Sequence, residues 1–273
     1  MTYDLTERSA AAARPVRLYR FTRGTLAWRY CSADRDIVHQ VQTFKALRGG
    51  IKDGGIRQTG QSSPDLLKLT APADLEVAQL YRGAAPSSPI QLTVFARHYG
   101  VDDYLVIWSG EIRSVKWPAL DRCEISCSPL TERMDMQGLR LGWERNCPHA
   151  LYSTACGVDM NLYRVESTVQ GMDGASISNG AFAAYPAGHF TGGLVEWAIG
   201  GGEFERRGIE AHSGSTLILL GGSGGLGLSQ AIRVYPGCAQ TVASCKNRFD
   251  NLANYGGIPH LAGKSPWDGS NVF

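Results

Sequence analysis

The chain has 273 residues, 33 of them glycine, with 43% hydrophobic residues and a formal net charge of +2 at pH 7. That length can bury a substantial core, as one large or two medium domains. The near balance of charge, with no long run of Lys or Arg, leaves no electrostatic footprint for nucleic acid or an anionic membrane.

The first residues, MTYDLTERSAAAARP, carry Asp4 and Glu7 and lack the apolar core of a secretory signal. Apolar stretches such as Leu217 to Leu220 are far too short to span a bilayer. The chain is therefore expected to be made and kept in a cytosol, where thiols stay reduced. Residues 1–15 read as a loosely structured arm closed by Pro15. VRLYRF (16–21) and LAWRY (26–30) predict a hairpin through Thr22 to Thr25. LRGGIKDGGIRQTG (47–60) reads as a loop or irregular edge. APADLEVAQLYRG predicts a short helix, capped by Asp74 and ended at Gly83. IQLTVFARH (90–98) alternates, with Ile90, Leu92, Val94 and Ala96 on one face. A meander continues through 104–110, 111–117 and 120–127, so residues 16–127 form a first β-rich domain, barrel- or sandwich-like.

Ser128-Pro129 predicts a helical turn, opening a less strand-like linker over 128–160. Strands resume at 161–170, 189–199, 203–211, 215–220 and 228–235, with a turn at Gly200-Gly201-Gly202. Residues 161–235 are thus a second β-rich domain, and 236–273 form an irregular C-terminal segment expected to pack on 128–160. The predicted class is mainly β: two β-rich domains with a small irregular or helical four-cysteine metal-binding module.

Seven cysteines are present, an odd number that fits poorly with a purely paired disulfide framework. Cys31, Cys123 and Cys127 read as core residues; Cys123 and Cys127 lie four apart in a strand and share a face. The other four form two pairs beside Pro or Gly turns. Cys147 and Cys156 have eight residues between them, Cys238 and Cys245 have six, and 81 residues separate the pairs. In a reducing compartment, clustered cysteines favour metal over disulfides. Zinc knuckles use gaps of about two to four residues, and iron–sulfur clusters accept varied spacings. Spacing alone leaves the two level. His149, two after Cys147, and His260 could each be a ligand, but read first as structural or outer-sphere residues. The string GGSGGLG (221–227) precedes an alternating strand and not a helix, so it is a strand connection and no phosphate cradle. No nucleophile elbow, P-loop or HExxH occurs, and no catalytic constellation is legible.

Five segments carry a family resemblance: RLYRFTRGTLAWRYCSADRDI (17–37), DLEVAQLYRG (74–83), WSGEIRSVKW (108–117), LGWERNCPHALYSTACGVD (141–159) and GCAQTVASCKNRFDNLANYGGIPH (237–260). In these the chain resembles phage tail-tip hub proteins, a family that includes hub proteins of gene transfer agents and is similar to the minor tail protein L of lambdoid phages. HQVQTFKALRGG (39–50) departs by lacking that family's tyrosine- and proline-bearing strand. The resemblance implies a structural, non-enzymatic protein of the virion tail tip, assembled in the bacterial host cytoplasm. It implies a 4Fe–4S iron–sulfur cluster held by Cys147, Cys156, Cys238 and Cys245, with zinc as the alternative cofactor. It also implies a homotrimer whose two similar domains per subunit give near-sixfold symmetry. The implied partners are a distal tail protein above and a central tip or fibre protein below, with DNA passing through unbound. A redox or metal-dependent enzyme is the rival reading, though four cysteines on one centre leave no open coordination position.

Overall fold

The structure is a computed structural model and describes residues 3–11, 13–57, 66–135, 138 and 142–261. It divides into two compact units, one of Met1–Gln137 with Ala198–Glu205, the other of Gly138–Trp197 with Arg206–Phe273.

The first unit opens with a short helix, α1 (Tyr3–Glu7), where the sequence predicts a loose arm. The Tyr3 N–H donates to Asp103, and Glu7 lies 2.7 Å from the buried His98 Nε2, which tie α1 down. Residues 1, 2 and 12 of that predicted arm lie outside the described residues. β1 (Pro15–Arg23) and β2 (Leu26–Cys31) form the expected hairpin. β3 (Ile37–His39) and β4 (Gln42–Ala46) follow, so residues 39–50 do carry strand, with β4 parallel to β2. β5 (Lys52–Asp53) gives the glycine-rich stretch a two-residue edge against β6 (Leu67–Pro72), while residues 58–60 of it lie outside the described residues.

The predicted helix is shorter than expected. α2 (Glu76–Gln79) starts after Leu75, so Asp74 lies too early to cap it and no side chain does. β7 (Gln91–His98), β8 (Tyr104–Ala119) and β9 (Arg122–Pro129) complete the meander. β8 is one strand of 16 residues with register shifts, not two strands broken at Gly110. Ser128 and Pro129 end β9, and the helical turn is a 3-10 turn over Leu130–Asp135.

These strands make a nine-stranded sheet in the order β3-β4-β2-β1-β7-β8-β9-β6-β5. Alternation along β1 sends Tyr19 and Phe21 to one core and Val16 and Leu18 to another. Cys123 and Cys127 are buried in the first core and Cys31 in the second. Glu205, at the tip of a later hairpin, is buried in this unit against Arg23 at 2.5 Å, and its other oxygen accepts the Ser87 N–H.

The second unit contains a 3-10 turn over Met160–Tyr163, capped by Asp159, where the sequence predicts a strand. β10 (Val165–Thr168), β11 (Gly171–Asp173) and β12 (Ser176–Ser178) follow; the last two go unread in the sequence. β13 (Leu194–Gly200) and β14 (Glu203–Ser213) flank the three glycines, all at positive φ, and their tip belongs to the first unit. β15 (Thr216–Leu219) and β16 (Ala231–Tyr235) complete a seven-stranded sheet ordered β10-β16-β13-β14-β15-β12-β11. The glycine string 221–227 connects β15 to β16, and no helix follows it.

Among its buried side chains are Phe182, Phe190, Val195, Trp197 and Tyr235. Glu196 is buried among them and accepts from Tyr235 Oη at 2.7 Å, Arg206 Nε at 3.0 Å and Arg233 at 3.2 Å. Burial pushes its carboxyl up, and the three hydrogen bonds outweigh burial and bring it below the usual range. A helix, α3 (Val242–Phe249), and a 3-10 turn over Leu252–Asn254 lie inside the segment expected to be irregular.

Candidate four-cysteine site

The site is built from two stretches of the second unit. The first runs from Glu144 to Tyr163. The second runs from Pro236 past α3 to Leu261.

α3 sets the position of Cys245. Thr241 caps its start, the side chain accepting the Ser244 N–H at 3.2 Å. Asp250 ends it in the left-handed region at φ 47. Cys245 and Phe249 are the buried residues of the helix. Cys238 lies just upstream, where the Gln240 N–H donates to its Sγ at 3.3 Å. Gln240, at φ 57, also presents its carbonyl to the Cys147 N–H at 2.8 Å. One residue therefore touches both cysteine pairs.

Further bonds lace the stretches together. Tyr152 Oη donates to the Pro236 carbonyl at 2.7 Å, and Tyr163 Oη to that of Phe249 at 3.2 Å. The Ile258 N–H donates to the Glu144 carbonyl at 2.8 Å. Asn251 Nδ2 donates to the Cys156 carbonyl at 2.6 Å, and Asn254 Nδ2 to Asn251 Oδ1 at 2.6 Å. The Gly256 N–H points at Cys147 Sγ, 3.4 Å away. A Cβ at Gly256 would sit 2.5 Å from the His149 ring, and one at Gly257 2.6 Å from the Arg145 carbonyl oxygen. Both glycines permit that close approach.

Cys147, Cys156, Cys238 and Cys245 all line one pocket, with an empty volume of about 340 Å³ including its open mouth. Tyr152 and Tyr163 meet Phe249 edge-on, at centroid distances of 6.2 and 5.0 Å, and pack an aromatic wall behind it. Burial pushes the Cys245 thiol up, and its cysteine neighbours Cys238, Cys147 and Cys156 add to the shift. Burial likewise raises Tyr255, helped by Cys147, Cys245 and Cys238.

Among the described residues, no three His, Cys, Asp or Glu side chains converge as they would around a single metal ion. The four thiols share one pocket. His149 lines the pocket, with Nδ1 3.2 Å from the Asn254 carbonyl oxygen. His260 is exposed and does not line it. The asparagines Asn251 and Asn254 went unread in the sequence; their only signal is their place between Cys245 and the Gly-Gly turn.

Over residues 5–159 the sequence matches the family described as baseplate hub protein, N-terminal attachment domain. Over residues 188–265 it matches the family described as phage conserved hypothetical protein BR0599. Each matched stretch carries one cysteine pair. A protein of Xylella fastidiosa (strain 9a5c), described as uncharacterized, is 28% identical over 184 residues, which is 62% of this chain and 38% of that protein. The aligned stretch thus covers well under half of that relative's length. Among solved structures, a chain from the virion of a native gene transfer agent particle has the same fold. It superposes with a TM-score of 0.77 at 17% identity, covering 98% of this chain and 97% of its own.

Proposed function

The chain belongs to the family of the baseplate hub protein N-terminal attachment domain, and we propose that it is a structural hub joining the parts of a phage or gene-transfer-agent tail tip. A baseplate hub is a part of the virion tail, and that is where the protein resides. In the proposed assembly it forms a homotrimer, with the distal tail protein above and a central tip or fibre protein below. The ring lines the DNA path, and a net charge of +2 suits a surface that lets DNA pass without gripping it.

We further propose that Cys147, Cys156, Cys238 and Cys245 hold a 4Fe–4S cluster. The observation that carries this reading is the single pocket lined by all four thiols, drawn from segments more than 80 residues apart. The donor set fits such a group. Four cysteine thiols lining one pocket are the donor set a 4Fe–4S cluster takes. Backbone N–H groups of Gln240 and Gly256 point at two of the sulfurs, as they would toward thiolate ligands. A cluster there would supply strong metal–thiolate bonds with every protein ligand position filled, which supports a structural and not a catalytic role. The chain's own part is to bring the two stretches together and keep water from the Phe249 side.

Substituting Cys147→Ser or Cys245→Ser tests the reading. Each variant should lose the metal, lower the melting temperature of the second unit, and reduce tail assembly in complementation. Unchanged melting together with normal tails in both variants would contradict it.

A further inference from the structure

Asn251 touches both cysteine stretches through side chain and backbone at once. Its Nδ2 donates to the Cys156 carbonyl at 2.6 Å. Its backbone N–H donates to the Cys245 carbonyl at 3.1 Å, and its own carbonyl accepts from Cys245 Sγ at 3.1 Å. Its Oδ1 is held by Asn254 Nδ2 at 2.6 Å, and the Asn254 carbonyl lies 3.2 Å from His149 Nδ1, two residues from Cys147. Both asparagines line the four-thiol pocket.

We infer that Asn251 is a positioning residue for the metal centre, its amide clasping the two cysteine stretches so that four thiols face one pocket before any metal arrives. This rests on the reading of the four cysteines as ligands. The geometry separates two kinds of bond. The Cys245 Sγ contact with the Asn251 carbonyl involves a proposed ligand atom. The amide bonds of Asn251 to Cys156 and Asn254 involve no sulfur. The side chain therefore carries the alignment through metal loading, as outer partners of ligands do elsewhere.

The test compares full-length wild type with Asn251→Ala and Asn254→Ala. In chelator-treated protein, hydrogen exchange at Cys156 and Gly157 should quicken about fivefold in Asn251→Ala, the worth of one hydrogen bond. Amides in β13 and β16 should not change. After anaerobic iron–sulfide loading, Asn251→Ala should yield iron to a competing chelator about 10–100-fold more readily. Its midpoint potential should also differ from wild type, a readout that general loosening would not move. Should Asn251→Ala fail to fold, Asn254→Ala, which removes only the brace, must show the same changes in smaller measure. Exchange and iron retention equal to wild type would overturn the inference. If wild type itself takes up no metal, the metal reading falls, and the exchange result alone decides the clasp.

Discussion

Arg23 and Glu205 meet inside the first unit, with side chains only 3% and 7% exposed. Arg23 also donates to Ser87 Oγ at 3.2 Å. Taking the guanidinium away leaves a buried carboxylate without its cation, which costs far more than an exposed pair. Arg23→Ala should lower unfolding stability by about 3–5 kcal/mol in urea titration; a loss under about 1 kcal/mol would show that Glu205 finds water or another partner. The pair spans 182 positions of sequence, and no local pattern announces it. Histidines give a second expectation. Burial lowers His39, with Arg97 adding to it, and burial lowers His189, with Arg248 and His212 adding to it. A folded histidine that resists its proton stabilises fully above the unfolded value of about 6.5. As pH falls below that, the unfolded chain takes the proton first and stability drains away. Melting temperature should thus fall between pH 7 and pH 5, and a flat or rising profile there would contradict both assignments. Glu196, held below the usual carboxylate range, gives up its share only at lower pH, as the pH drops through its folded value.

Elements divide by how much of their cause is local. β9 is legible because buried residues alternate with more exposed ones, as in Cys123, Ile125 and Cys127, whereas β7, whose residues alternate in the sequence, is buried on both faces from Val94 to His98. The β1–β2 hairpin was legible from Gly24, which adopts φ +54 at the turn. The sequence divides β8 at Gly110, which looks like a turn. A Cβ there would run into the Ser128 carbonyl, so the glycine serves close approach of β9 and the strand continues through it. α3 is hard to read in the sequence because, beside the small Ala243, its apolar positions are Val242, Cys245 and Phe249, a sparse stripe among polar residues. Its start signal was present in Thr241. Thr241→Ala should cost about 1 kcal/mol of stability by removing that cap, with hydrogen exchange quickening first in α3. Unaltered exchange in α3 would mean that burial of Cys245 and Phe249 alone holds the helix.

At the scale of the whole molecule, the two family matches and the two compact units do not share a boundary. The match over residues 5–159 includes Cys147 and Cys156, yet these residues pack within the unit that begins at Gly138. The first cysteine pair is thus matched with the attachment domain but folds with the C-terminal stretch. All four proposed ligands were named from spacing and family likeness. The polypeptide bonds that gather them, from Gln240, Asn251, Gly256 and Tyr152, depend on left-handed turns and carbonyl positions that spacing does not reveal. For the same reason the choice between one ion and a cluster stays open in the sequence, and metal and sulfide analysis decides it.

The measurement closest to the central claim is metal and sulfide analysis, with a visible spectrum, on full-length protein purified without oxygen. The account predicts brown protein with about four irons and four sulfides per chain, lost together in the Cys147→Ser and Cys245→Ser variants. Colourless, folded protein carrying one zinc, or no metal at all, would contradict it.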